Sequence, residues 1–540
     1  MQFKLFAATA ALALSVGAHA QTAAGTTPEF TPESFRSHVA FLADDRLEGR
    51  DAGSPGYELG ALYVATEFEG LGLKPGGEGG WYQQVPFLQY KLADGAGRVT
   101  IGGKSFANRA EVLVSPTPVA GAQAVEAPVV FVGYGIDSPA AGIEDYNGLD
   151  VKGKIVAMFG GSPKGLPSDV AAHLNSDKRR MASARGAVGI IMLRSAEEAT
   201  RRPWARMTES AGEPALTWLG KDEQPYSAAP GIRARTSLDT AAAEALFAGS
   251  RRSFAQVQAE LSKAGARPKG FALKPTVRIE QDSQVTRTTS PNVLGIIPGS
   301  DPALANEYVL LMAHLDGLGV HHREGDDDIH NGAMDNATGV ATLLEVAKAM
   351  QLPGNRPKRS ILLAAVTAEE DGLLGAQYLA RNPVLGNGKV VGVVNLDMPV
   401  LLYDFQDVIA FGAEHSTMGA IVERAAGKMG IKLSGDPLPQ EGLFTRSDHY
   451  RFVQEGIPAV FLMTGFANGG EEKFTGFLST NYHKPTDDLK LPFDWKAGAK
   501  FARINYLIAS EIANAPQAPR WYSDSFFGKT VAPNAPKATR

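Results

Sequence analysis

From residue 290 onward the chain alternates regularly between short apolar runs and amphipathic stretches. "SPNVLGIIPGS" and "YVLLMAHLD" are apolar and read as strands, the second followed by a long loop. "NATGVATLLEVAKAM" places Val340, Leu343, Leu344, Ala347 and Met350 on one helical stripe. Strand "SILLAAV", helix "GLLGAQYLAR", strand "VVGVVNLD", helix "STMGAIVERAAGKMG" and strand "IPAVFLM" follow, and a last helix lies near "WKAGAKFARINYLIASEIANA". Continuous apolar strands alternating with helices predict an α/β fold, in which a mostly parallel mixed sheet is sandwiched between helices.

Upstream the pattern differs. Helical spacing recurs on both sides of the break "GRDAGSPG", and residues 85–125 read as short strands. "APVVFVGYGI", "NGLDVKGKIVAMFGG" and "KRRMASARGAVGIIMLRS" then give strand, loop, strand, helix and strand, a separate β-rich module. The opening "MQFKLFAATAALALSVGAHA" has Lys4, an apolar run and Ala18-His19-Ala20, the form of an export signal cleaved at a small-x-small site. The expected division is 1–20 signal peptide, 21–121 first part of the main domain, 122–275 inserted module, 276–515 remainder of the main domain, and 516–540 a Pro-rich extended tail.

Composition narrows the chemistry. With 540 residues, 44% hydrophobic, the chain has material for several packed units. A formal charge of −5 without a basic stripe gives no sign of a nucleic-acid partner. No later segment is long and apolar enough to span a membrane, so an exported protein, periplasmic or secreted, is expected once the signal is removed. There is no cysteine, which removes disulfides, thiol catalysis and zinc–thiolate sites.

In an open α/β sheet, ligands bind beyond the C-terminal ends of the strands. There the sequence delivers His314 and Asp316, then Asp335 before a helix, Glu369 and Glu370, Asp397, and His483 in "NYHKPTDD". One acid at a strand end is an ordinary solvated end. Five segments sending acids or imidazoles to one edge would repel unless cations sat between them. Without cysteine, a two-zinc site of His and Asp/Glu suits this set. His314 and Asp316 lie two apart, so on an extended strand they face one way and Asp316 can hold the far ring nitrogen of His314. Glu369 and Glu370 are adjacent, so one can bind metal while the other moves a proton. Asp371 reads as a cap on the next helix.

The ordered motifs "HLD", "NGAMDNATGVA", "TAEEDGLLGAQYL", "NLDM", "RSDHYRF" and "YHKPTDD" closely resemble the di-zinc aminopeptidases related to aminopeptidase S and aminopeptidase Y, with glutamate carboxypeptidase a more distant relative. The resemblance covers about residues 28–125 and 280–515. The segment between, with "FVGYGI" and "YNGLDVKGKIV", looks like an inserted protease-associated (PA) domain. The resemblance implies a zinc-exopeptidase fold and two zinc ions, His314, Asp335 and Asp397 on one and Asp335, Glu370 and His483 on the other, with Asp335 bridging. It implies Glu369 as general base, Asp316 orienting His314, and Tyr482 assisting the oxyanion. Lys484 departs from the family, which usually has Thr there.

The expected activity is that of an aminopeptidase acting on peptides. Carboxypeptidase or dipeptidase action within the family is the alternative; a glutaminyl cyclase-like acyltransferase and a non-catalytic binding protein are disfavoured by the complete ligand set. A carboxypeptidase needs arginines to clamp a carboxylate; Arg446 is the only one that can be placed near the site, and one is not decisive. "GVHHREGDDDIHN", with His321, His322 and His330, reads as a solvated or substrate-facing loop more than as a metal trap, and His449 as pocket wall.

Overall fold

The computed structural model describes residues 26–209, 211–263, 265–321 and 327–540. The expected signal peptide and His322 lie outside these.

The larger core is built on four parallel strands, Glu307–His314, Ser360–Val366, Lys389–Leu396 and Ala459–Thr464. Glu307–His314 lies between Ser360–Val366 and Lys389–Leu396, so the strand order reverses beside it. All seven residues of Ser360–Val366 are buried, as a strand covered on both faces by helices must be. Helix Thr338–Met350 is buried on more than its apolar stripe: only Lys348 is exposed, because helices Pro32–Leu42 and Trp495–Asn514 enclose it. Oε1 of its buried Glu345 accepts from Ser34 and lies 3.4 Å from His38. Among the described residues no helix is long and apolar enough to cross a membrane.

A second core gathers around parallel strands Gly121–Phe131, Ile155–Phe159, Gly189–Leu193 and Ala234–Leu238. It also takes in Val99, Ile101, Phe106, Val112 and Val114, so its packing begins near residue 98, ahead of the break expected at 122. The reason is the long strand Phe271–Ile297. Its first half pairs with Arg98–Ile101 and Gly121–Phe131 in the second core, and its last five residues pair with Ser360–Val366 in the first. Between them it pairs with Tyr82–Leu92, whose other edge takes Ala215–Trp218, and these strands join the two cores.

The C-terminal residues are not a free arm. Trp521 is 2% exposed and donates its indole N–H to the Gly456 carbonyl at 2.7 Å, and Phe527 packs on His173, His415 and Phe444. Two buried aromatics within seven residues make this segment part of the core, which the prolines alone did not reveal. Trp521→Ala should therefore cost about 3–5 kcal/mol of unfolding free energy. Removal of residues 516–540 should lower the thermal midpoint, whereas a free arm would leave it unchanged.

Candidate metal centre

The C-terminal ends of the parallel strands bring the predicted residues together at the point where the strand order reverses. His314 is the last residue of its strand, Asp397 follows Leu396, and Glu369 and Glu370 lie just past Val366. Asp335 sits in the turn leading into helix Thr338–Met350.

The central feature is the carboxylate of Asp335. One oxygen lies 3.2 Å from His314 Nε2 and the other 3.3 Å from His483 Nε2. His314 Nε2 is also 3.4 Å from Asp397 Oδ1, and His483 Nε2 is 3.2 Å from Glu370 Oε2. Neighbouring ligand atoms on a tetrahedral zinc, with bonds of about 2.0–2.1 Å, lie about 3.3 Å apart. The donor set thus matches two ions sharing one carboxylate in both chemistry and spacing.

The electrostatics point the same way. Burial would raise the carboxyl of Asp335, but His314 and His483 hold it well below the usual carboxylate range. Burial would lower His483, yet hydrogen bonds to Asp335 and Glu370 carry it up to about 10. Glu369 has no such partner. Burial, with Glu370, Asp397 and Asp448 nearby, pushes it well above its ordinary value despite His314. Burial also pushes Asp316 and Asp487 up to about 7 and Asp448 to about 8. So dense an acid cluster is not comfortably ionised without cations.

Several side chains hold this arrangement. His314 Nδ1 is 3.1 Å from the backbone carbonyl of Asp316, which can only accept, so Nδ1 carries a proton and Nε2 is the nitrogen turned toward Asp335 and Asp397. The Asp316 carboxylate is farther away, at 3.9 Å, and instead accepts the backbone N–H groups of Glu369 at 3.1 Å and Glu370 at 3.2 Å. The expected partnership of Asp316 with the imidazole is thus closest through its backbone carbonyl, with the carboxylate facing the same ring nitrogen from 3.9 Å. The Asp487 carboxylate accepts from the Met334 and Asp335 amides at 2.8 and 3.0 Å. Ser447 donates to Asp397 at 2.5 Å and accepts from Asn395 at 2.6 Å. Asn336 donates to the Leu396 carbonyl and accepts from the Gly339 and Met398 amides. Sequence reasoning singled out none of Asp487, Ser447 and Asn336, although all three lie inside the quoted motifs.

The remaining expectations are placed as follows. Tyr482 stacks on the His483 ring with centroids 3.7 Å apart. His449 is fully buried between Phe444 and Phe461, and burial lowers it to about 3, so it stays neutral in the core. Asp371 caps nothing: helix Leu374–Arg381 begins from Leu373 without a side-chain cap. Arg446 faces Glu441 at 3.6 Å. His330 lines the same small pocket as Asp335, Glu370 and His483, and its ring packs 4.6 Å from His321. A larger cleft of about 830 Å³, lined by Asp169, Phe411, Glu414, His415 and Phe444 among others, shares none of these residues. There Asp169 and His415 are joined by a direct hydrogen bond and are satisfied without an ion.

Residues 292–509 match the model of peptidase family M28. That stretch is thus similar to peptidase family M28. Over 229 residues it is 30% identical to the probable leucine aminopeptidase 2 of Aspergillus fumigatus, an alignment covering 40% of this chain and 42% of that protein. It is 29% identical over 258 residues to aminopeptidase Y of Saccharomyces cerevisiae, covering 46% and 41%. The chain thus spans less than half the length of these relatives. The solved aminopeptidase from Aneurinibacillus sp. strain AM-1 shares the fold, with a TM-score of 0.50 at 20% identity over 91% of this chain and 95% of that one. The M28 match includes His314, Asp335, Glu369, Glu370, Asp397 and His483 within its bounds.

If the centre takes up cations between its acids, zinc at a hundred times its Kd should stabilise the metal-free protein by about 2.7 kcal/mol per occupied site. Chemical denaturation with and without zinc measures this. Asp335→Ala should abolish most of the gain, because one carboxylate serves both sites.

Proposed function

We propose that this protein is a zinc-dependent exopeptidase that removes N-terminal residues from peptides, using two zinc ions and Glu369 as general base. The observation that carries the reading is the division of Asp335 between His314 and His483, which builds two adjacent and equivalent donor sets. On this reading His314, Asp335 and Asp397 hold one ion, and Asp335, Glu370 and His483 hold the other. The zinc ions, when bound, polarise the scissile carbonyl and lower the pKa of water.

The rest of the chemistry belongs to the chain's own side chains. Glu369 is buried, adjacent to a ligand and engaged by neither histidine, so its carboxylate is free to accept a proton from the attacking water and deliver it to the leaving amine. Its backbone is fixed by Asp316, which keeps the carboxylate from swinging into the place of Glu370. Ser447 fixes which oxygen of Asp397 turns toward His314. Tyr482, stacked on His483, is placed beside the same acids and is the candidate to donate a hydrogen bond to the developing oxyanion. Arg446, half exposed and 3.6 Å from Glu441, is a single arginine where a carboxylate clamp calls for more, which supports amino- over carboxypeptidase action. The same proposal takes residues 1–20 as an export signal, placing the enzyme in the periplasm or outside the cell, and reads the second core as a PA domain.

Free and N-blocked aminoacyl anilides, assayed before and after chelation and zinc replacement, test the reading. Free substrates should be turned over and blocked ones refused; equal turnover of the two rules out aminopeptidase action. Activity that survives chelation rules out the metal. Glu369→Gln should keep both zinc ions by elemental analysis and lose about 10²–10⁴ in kcat.

A further inference from the structure

The turn at residues 42–51 penetrates the M28-like domain more deeply than any chemistry assigned above requires. Arg50 is 1% exposed, and its guanidinium donates to four carbonyls. Nε reaches Leu315 at 2.9 Å, Nη1 reaches Leu42 and, at 2.6 Å, Asn331, and Nη2 reaches Gly332 at 3.1 Å. Leu315 directly follows His314, and Gly332 precedes Asp335 by three residues. One side chain therefore ties together the two loops that carry those residues. The backbone adds to the grip: the Arg50 carbonyl accepts from Gly317 at 3.1 Å, and Asn331 donates to Ala43 at 3.1 Å and to Asp45 at 2.8 Å. Gly49 is held at φ +68°, where a Cβ would lie 2.6 Å from the carbonyl oxygens of both Gly319 and His330. Only glycine lets the turn pass between the two ends of the loop.

A fully buried guanidinium is costly unless something offsets it. Among the described residues no carboxylate is in ion-pair contact with Arg50. The acids acting on it are Asp316, Asp487, Asp335 and Glu370: two proposed ligands and the two carboxylates that hold ligand-bearing backbone. Burial lowers Arg50 to about 10, which leaves it a cation at neutral pH. Its counter-charge is the site itself.

We propose that Arg50 is a positioning residue for the metal centre, fixing the His314 and Asp335 loops in their ligating geometry before metal arrives. The inference rests on the zinc reading of the site. A positive charge near the centre also opposes cation binding. The positioning effect outweighs this because the fork makes direct hydrogen bonds to the ligand loops, while its charge touches no ligand.

Zinc affinity by chelator competition, and the visible absorption of the cobalt-substituted protein, test this on the full chain. The wild-type protein must first take up two zinc ions; failure there overturns the zinc reading and not the role of Arg50. Arg50→Lys and Arg50→Met, each verified as folded, should bind zinc at least about tenfold more weakly and give altered cobalt spectra. A Lys cannot reproduce the fork, so a conserved charge should not rescue affinity. Lower thermal stability with unchanged zinc affinity and cobalt spectrum would mean a merely structural role and sink the proposal. Tighter zinc binding by Arg50→Met would sink it too, showing that charge repulsion dominates. If neither variant folds, Asn331→Ala decides: it cuts the parallel tie, leaves Arg50 intact, and should weaken zinc about two- to tenfold, the worth of one hydrogen bond. Unchanged affinity there overturns the inference.

Discussion

Everything at the centre depends on the carboxylate of Asp335 standing between two imidazoles. A carboxylate shared in this way cannot turn toward one histidine without leaving the other, so its backbone must be immobile. Asp487 accepts from the Asp335 amide and the one before it, and Asn336 ties the next residue to the strand end at Leu396. These bonds resist the repulsion among Asp316, Asp335, Glu369, Glu370 and Asp397 that folding imposes. Burial sharpens that repulsion, since charges withdrawn from water are poorly screened. The domain thus folds around a local conflict that cations would resolve.

That conflict was legible in the sequence, and much of its resolution was not. Apolar runs such as "SILLAAV" and "VVGVVN" marked buried parallel strands, and the residues after them had to reach one edge. This located His314, Glu369, Glu370 and Asp397 without reference to packing. The errors came where the answer lay in tertiary contact. Asp316 was read as holding the imidazole; it faces that ring nitrogen, but its carbonyl makes the close contact and its carboxylate accepts from amides more than fifty residues away, which no period of two foretells. Asp371 was read as a helix cap from proximity alone, but the helix starts at an uncapped Leu373. Ser447 and Asp487 are ordinary loop residues by composition, and only the folded chain shows that each meets a proposed ligand or its backbone.

The extent of the second core was misjudged for a related reason. Short strands at residues 98–114 have no pattern that says which sheet they join, and partner choice was made by the 27-residue strand Phe271–Ile297. Because that strand belongs to both cores, a bend or register slip near residues 283–293 would displace one module relative to the other. The contacts of Phe527 with His173 of the inserted segment and His415 of the main domain add a second, independent link. With the bonds of Asp169 to His415 and His173 to Tyr450, these links far apart in sequence give the pair of cores a defined relation that a single linker would not.

The division of labour at the site follows from this layout. Of the proposed ligands, His314 ends a central strand, Asp397 directly follows the end of a second, and Glu370 lies just past a third. The groups that aim the buried turn around Asp335 come from far apart in the sequence: Arg50 on one side and Asp487 on the other. The strands can pair without those segments, but the shared carboxylate cannot be set until both have docked. Ligand geometry of this kind is completed last, so the cations should be taken up by a nearly folded chain and stabilise it as a whole.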